Sequence, residues 1–262
     1  MTIGKFTVGA DPELFIINTR SNKVVSAVGK VPGTKENPYK IPNMLGYTLQ
    51  VDNILVEFNI PPCNNQISFV KSIENMKNYI RNYVRSINPN YDILCASSQD
   101  VPKSQLRSKQ ANEFGCSPDY NVYTNDVNEK PDPTSTTMRS AGFHLHIGYD
   151  NSNIDTSLEL IKYLDAFIGI PSILLDDDTE RRKIYGKAGC FRLKPYGLEY
   201  RSLGSSLMKD TESIRWIWIQ LEIAICSFNS GCRIPNDDDI QEIINESNIE
   251  LAKYLIEEYR LN

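Results

Sequence analysis

Apolar and polar positions alternate over residues 5–17, and the alternation ends in the turn-prone run NTRSN. That pattern predicts a strand, with residues 24–28 returning beside it as a hairpin. Residues 54–60 alternate again and predict a second strand, which Pro61 and Pro62 should end because proline cannot donate to a ladder. Between these strands, residues 29–46 are rich in Gly, Pro, Lys and Asn and read as a long loop. From Ser68 the period lengthens. Phe69, Ile73, Met76, Ile80, Tyr83 and Ile87 recur at helical spacing, and Asn88-Pro89-Asn90 stops the helix. Further strands are predicted at 91–96, 143–149 and 195–203, and further helices at 155–167, 210–228 and 237–259. Asp155 is the expected N-cap of the first of these helices, and acidic residues open the other two.

Residues 97–139 are polar and carry Pro102, Pro118, Pro131 and Pro133. A stretch of that length without its own structure is usually a lid or binding loop. No internal repeat or low-complexity tract appears. The fold class expected is therefore α+β, one sheet with helices over one face, in a single domain spanning residues 1–262.

Composition narrows the function. A net charge of −5 and a pI near 5.2 argue against general nucleic-acid binding, which needs a basic surface. The most apolar run, 214–228, is broken by Arg215, Gln220 and Glu222 and reads as a buried helix, not a membrane span. The N-terminus lacks the apolar core of a signal peptide, so a cytoplasmic location is expected. Six cysteines, with no CxxC, read as reduced thiols rather than a disulfide or zinc framework. Trp216 and Trp218 read as core aromatics.

The polar faces of the strands hold the chemistry. A strand sends residues i and i+2 to one side. On this rule Asp11 pairs with Glu13, Glu57 with Asn59, His144 with His146 and Glu199 with Arg201, each flanked by apolar residues. Such a face can be merely solvated. Lys, Thr, Ser and Gln would then be the usual occupants, whereas four segments here supply Asp, Glu and both histidines of the chain. Carboxylates converging on one face repel unless a cation lies between them, and oxygen ligands with one imidazole suit Mg²⁺ or Mn²⁺.

A basic run follows: Arg181, Arg182, Lys183, Lys187, Arg192, Lys194 and Arg201, with glycines interspersed in YGKAGCFRLKPYG. Read blandly, it is an exposed basic loop. Beside a divalent-metal cluster it is also a clamp for ATP phosphates, with Arg181, Arg182 and Lys187 as nucleotide contacts. Neither a Walker A motif nor a strand-following GxGxxG occurs, so the nucleotide would be held in another way.

GADPELF, VEFNIPPC, AGFHLHIG and YGKAGCFRLKPYGLEYRSLGS together resemble the phage-type carboxylate–amine ligases of the glutamine synthetase and glutamate–cysteine ligase superfamily. Their order and spacing carry the resemblance from Phe6 to about Ser205. It implies an antiparallel sheet curled into a partial barrel, helices outside, and ATP with Mg²⁺ on the inner face. By the same resemblance Asp11, Glu13, Glu57, His144 and Glu199 match metal ligands. His146 falls near the nucleotide phosphates, and Arg201 matches the substrate or phosphate arginine. Two positions depart from glutamine synthetases: Asp11 replaces a Glu, and Gly197 replaces an arginine two residues before the last acid, a charge that Arg192 or Lys194 could supply.

The activity expected is ATP-dependent amide or peptide bond formation through an acyl phosphate, with Arg201, Arg192 and Lys194 offsetting the developing charge. The partners expected are a small-molecule or peptide carboxylate and an amine, with neither nucleic acid nor membrane. A metal-dependent hydrolase using the His-x-His pair, and a non-catalytic binding module retaining the fold, are the alternatives.

Overall fold

The computed structural model describes residues 2–112, 119–128, 136–176 and 178–262. The predicted first strand is two, β1 (Phe6–Ala10) and β2 (Glu13–Asn18), because Pro12 lacks the N–H that a continuous ladder would use. Instead the Asp11 N–H donates to the His144 carbonyl at 3.3 Å, and the Pro12 carbonyl accepts from the Phe58 N–H at 3.1 Å. β3 (Lys23–Val25) closes the expected hairpin, with Ile16 opposite Val25. The 29–46 loop contains a two-residue strand, β4 (Tyr39–Lys40), that pairs with β5 (Thr48–Asp52).

β6 (Leu55–Cys63) runs through the two prolines expected to end it. Its ladder to β1 pairs Ile60 with Ala10 and Cys63 with Val8, and the register shift between them places Pro61 and Pro62 in a bulge that asks for no donor. Helix α1 (Gln66–Ile87) follows, capped at Asn65, whose side chain accepts from the Ser68 N–H, and ended at Asn88. β7 (Tyr91–Leu94) returns to β2. The long polar stretch contains β8 (Ser98–Asp100), β9 (Tyr120–Asn121), β10 (Asp126–Val127) and β11 (Met138–Ser140). The rest of the predicted lid, 113–118 and 129–135, and Cys116 with it, lies outside the described residues.

β12 (Leu145–Tyr149) leads into α2 (Ile154–Leu164). The N-cap of α2 is Asn153, which accepts from the Thr156 N–H at 2.9 Å; Asp155 lies inside the first turn, where its charge suits the helix dipole. A π-turn, in which the Ile170 N–H reaches the Asp165 carbonyl, joins α2 to the short α3 (Ile170–Ser172). α4 (Thr179–Ile184) precedes a hairpin of β13 (Cys190–Lys194) and β14 (Gly197–Tyr200). Pro195, predicted inside a strand, lies in the turn of this hairpin, and β13 was legible only as a basic run. α5 (Thr211–Ser230) begins at its Asp210 cap. The last predicted helix is two, α6 (Asp237–Glu246) and α7 (Ile249–Tyr259), parted by Ser247 in the left-handed region at φ 55° and by a fresh cap at Asn248.

The main sheet runs β10-β9-β13-β14-β12-β1-β6-β2-β3, with β5 also on β6, β4 on β5 and β7 on β2; β8 and β11 pair separately. Among the described residues every pairing is antiparallel, and the strand path does not close on itself. The fold is thus a mixture of helices and antiparallel sheet. One face of the sheet is apolar: Val8, Leu14, Val56, Phe58, Leu145, Ile147 and Leu198 form a common core with Phe69, Ile73 and Met76 of α1, Leu160 of α2 and Trp218 and Leu221 of α5. Trp218 is buried and Trp216 half-buried against that core. Burial of one such face against helices is the main drive for this architecture.

Asp165 of the π-turn ties the helices to the sheet. Fully buried, it accepts from the hydroxyls of Tyr200 at 2.7 Å and Tyr123 at 3.0 Å and from the Gly189 N–H at 2.6 Å. Among the described residues no helix is long and apolar enough to cross a membrane. Cys63, Cys95, Cys190, Cys226 and Cys232 are free thiols.

Candidate functional site

The other face of the sheet is polar, and register fixes what meets there. His146 of β12 stands opposite Glu199 of β14, which stands opposite Arg192 of β13. Glu13 of β2 stands opposite Glu57 of β6, which stands opposite Gln50 of β5. The five expected metal ligands do not form one cluster. They divide between two groups, Asp11 with His144 and Glu199, and Glu13 with Glu57 and Asp52; within each, ligand atoms lie within 4.8 Å of one another. Pro12 stands between β1 and β2, and Asp11 and Glu13 on either side of it both line the same cavity.

In the first group acids meet bases. The Asp11 carboxylate lies 3.3 Å from His144 Nδ1 and 3.1 Å from His146 Nε2. Burial would raise its pKa, but the hydrogen bonds and charges of the two histidines hold it well below the usual carboxylate range. Glu199 meets Arg201, Arg192 at 3.3 Å and Lys194 at 2.7 Å. Burial and the Asp11 charge push its carboxyl up; Arg201, His144 and Arg192 more than offset them and bring it to about 2. Burial and the neighbouring Arg201 depress His144, which favours the neutral imidazole that a metal binds. Burial also works against charging His146, but Asp11 wins and raises it. Its Nδ1 is 2.5 Å from the Tyr196 hydroxyl. Gly142 makes the His144 position possible: a Cβ there would lie 2.4 Å from His144 Nε2.

The second group consists of acids alone. Glu13 accepts from the Gly142 N–H at 2.6 Å, yet burial first and the Asp52 charge second raise it to about 8. Burial, then the charges of Asp11, Glu13 and Asp52, lift Glu57 well above its ordinary range. Three carboxylates so placed cannot all ionise without a cation among them, and an all-oxygen donor set fits Mg²⁺ or Mn²⁺. The residues present therefore suit a divalent metal on their chemistry.

Both groups wall one cavity of about 650 Å³, which also takes in His146, Arg192, Lys194 and Arg201. That volume is in the range of small-molecule sites. Nine of the twelve residues singled out from the sequence meet here; Arg181, Arg182 and Lys187 do not. Arg181 is buried beside a small adjoining hollow and donates to the Ser202 carbonyl at 2.9 Å. Arg182 is buried and donates to the Asp178 carbonyl at 3.2 Å. Lys187 lines a separate cavity.

Position 197 cannot hold the arginine that it lacks: a Cβ there would lie 2.2 Å from the Ile147 carbonyl. Arg192 and Lys194 supply cations at Glu199 instead. Three participants escaped the sequence reading. Asp52 fell between the long loop and the next predicted strand, Lys35 came in on the long loop, and Tyr196 followed a proline inside a supposed strand. Only Asp52 had a signal: it ends an alternating run two residues before the next strand.

Residues 134–226 match the family described as phage phiEco32-like COOH.NH2 ligase-type 2, in agreement with the resemblance read from the sequence. The segment contains both histidines, Glu199 and Arg201 but precludes nothing about Asp11, Glu13 or Glu57, which lie before it. No curated protein matches the chain. Among solved structures, a bifunctional glutathione synthetase from Pasteurella multocida aligns with 98% of this chain and 46% of its own, at 10% identity and a TM-score of 0.48. A Plasmodium falciparum glutamine synthetase aligns with 89% of this chain and 53% of its own, at 11% identity and a TM-score of 0.47. The chain thus spans about half the length of each.

Proposed function

We propose that this chain, whose 134–226 segment carries the signature of phage-type carboxylate–amine ligases, joins a small-molecule or peptide carboxylate to an amine at the expense of ATP. The observation that carries the reading is one cavity walled by two metal-capable groups and by three cations, Arg192, Lys194 and Arg201. Asp11, His144 and Glu199 would hold one divalent cation, and Glu13, Asp52 and Glu57 another. Bound Mg²⁺ or Mn²⁺ supplies charge neutralisation at phosphate oxygens.

The chain's own part is positioning and electrostatics. Arg201, Arg192 and Lys194 face the cavity from adjacent strands and would offset negative charge on a γ-phosphoryl passing to the substrate carboxylate. His146, held by Asp11 and Tyr196, would contact the phosphates. The acyl phosphate so formed is attacked by the amine, which expels phosphate. In the same reading residues 97–139 cover the site and exclude water, the sheet curls around the cavity as a partial barrel, residues 1–262 act as one domain, and the protein works in the cytoplasm.

The test is release of ADP and phosphate by the purified chain with Mg²⁺ or Mn²⁺ and pooled carboxylates and amines. Amine-dependent release that disappears in Glu199→Gln supports the ligase. Failure to bind ATP with either metal, measured by calorimetry, overturns it in favour of a hydrolase or a binding module.

A further inference from the structure

β8 and β11 form a ribbon apart from the main sheet, with Ser98 opposite Ser140 and Asp100 opposite Met138. The ribbon and the 110–112 turn have a small core of their own. Val101, Ala111 and Ala141 pack there with Phe15, Val24, Ile54 and Leu55, separate from the main core. A segment with so few buried apolar side chains opens more readily than the main core, so polar contacts matter to its docking.

Asn53 fastens it. The pairing of Asp52 with Leu55 leaves Asn53 in the two-residue turn between β5 and β6, in the left-handed region at φ 54°, which asparagine tolerates. Its buried side-chain amide donates to the Gln110 and Ala111 carbonyls at 3.3 and 3.1 Å, and its side-chain oxygen accepts from Arg139 Nε at 3.3 Å. Arg139, also buried, donates to the Ala111 carbonyl at 3.0 Å and to the Thr136 and Met138 carbonyls at 3.0 and 2.8 Å. One asparagine thus joins the β5–β6 turn to both arms of the segment. The turn it holds is also the turn that places Asp52, a member of the acid-only group.

The ribbon leads to the same group from its other end. Two residues beyond Ser140, the Gly142 N–H donates to the Glu13 carboxylate at 2.6 Å, and the Gly142 carbonyl accepts from the Glu13 N–H at 2.9 Å. Asp52, Asn53, Arg139, Gly142 and Glu13 all border the small hollow beside the metal-capable cavity.

We infer that Asn53 and Arg139 are positioning residues for the Glu13, Asp52 and Glu57 group, and that a divalent cation held there and the docking of residues 98–112 and 136–141 support each other. The inference rests on the metal-capable reading of that group and not on a nucleotide. Three carboxylates must be kept close against their mutual repulsion, and a loosened β5–β6 turn would let Asp52 withdraw. By linkage, the factor that docking adds to metal affinity is the factor that the metal adds to docking.

The experiment is Mn²⁺ calorimetry on wild-type protein, Asn53→Gly and Glu57→Gln, the last identifying the binding step that belongs to this group. Asn53→Gly keeps the left-handed turn, which glycine adopts freely, and removes only the side chain. It should weaken that step by roughly tenfold, the low end for loss of a contact that orients a metal ligand. Hydrogen exchange on wild-type protein supplies a readout that needs no variant. The amides of Val101 and Ala141, bonded to the Thr137 and Ser97 carbonyls, should exchange roughly tenfold more slowly with saturating Mn²⁺, and Asn53→Gly should lose most of that slowing. A merely structural Asn53 would alter exchange equally with and without metal. Unchanged Mn²⁺ affinity in Asn53→Gly, or wild-type exchange indifferent to Mn²⁺, overturns the inference and leaves the metal reading standing. Failure of wild-type protein to bind Mn²⁺ overturns both.

Discussion

Glu199 and Glu57 are buried glutamates on the walls of one cavity, and their surroundings act on them in opposite directions. Glu199 has Arg201, Arg192 and Lys194 within reach and is held ionised. Glu57 stands across the ladder from Glu13, close to Asp52, and is driven toward its protonated form. Like charges directly opposite in a sheet are unfavourable, so this pairing adds nothing to stability when both acids are ionised. The lesson is that the same residue type does two jobs here. In the first group neighbouring cations and histidines outweigh burial, while in the second burial and neighbouring carboxylates prevail and favour the protonated acids.

The largest expected effect tests this contrast directly. Glu199→Gln and Glu57→Gln should each lower ATP-dependent turnover on the order of a hundredfold or more, since each removes a charged group from the site. Their stabilities should part. Glu199→Gln leaves Arg201 and its neighbours without their counter-charge and should cost about 3 kcal/mol in denaturant unfolding. Glu57→Gln removes a repelling charge and should leave the metal-free protein as stable as before, or more so. Equal destabilisation by the two variants would break the comparison.

Next comes pH. Glu13 binds its proton up to about 8 in the fold, against an ordinary value of 4.5, so the folded state carries an extra proton across that interval. Stability of the metal-free protein should therefore fall as pH rises from 4.5 toward 8. Asp165, raised by burial to about 6, adds to the fall only below that value. Glu199, lowered to about 2, acts in the reverse sense, and its contribution is lost only as pH drops below 4.5. Thermal melts across this range should show the decline, and added Mn²⁺ should cancel it by taking the place of the proton. The smallest effect is expected for Tyr196→Phe, which removes one partner of His146: a few-fold loss in ATP affinity, about 1 kcal/mol, by calorimetry.

Much of this contrast could be read from the chain. Period-two alternation placed Glu57, His144, His146 and Glu199 on polar faces, since such patterns depend only on neighbours in sequence. Pro12 was visible too, but its consequence was not: whether a proline ends a strand, as it does between Ala10 and Glu13, or is absorbed in a bulge, as at Pro61 and Pro62, depends on the partner strand. Asp52 reaches Glu13 and Glu57 only through the β5–β6 pairing, a tertiary fact. The basic run was read as one clamp, but its members alternate along β13 or turn inward from α4 to backbone carbonyls, so Arg192 and Lys194 reach the cavity and Arg182 does not.

The most direct test of the account is Mn²⁺ binding by calorimetry at about pH 6 and about pH 8, with wild-type protein and Glu57→Gln. Wild-type affinity should rise by up to about tenfold per pH unit as bound protons are displaced, and Glu57→Gln should lose affinity at both values while keeping the part of the dependence that Glu13 carries. Mn²⁺ binding that is indifferent to pH and to Glu57→Gln would contradict it.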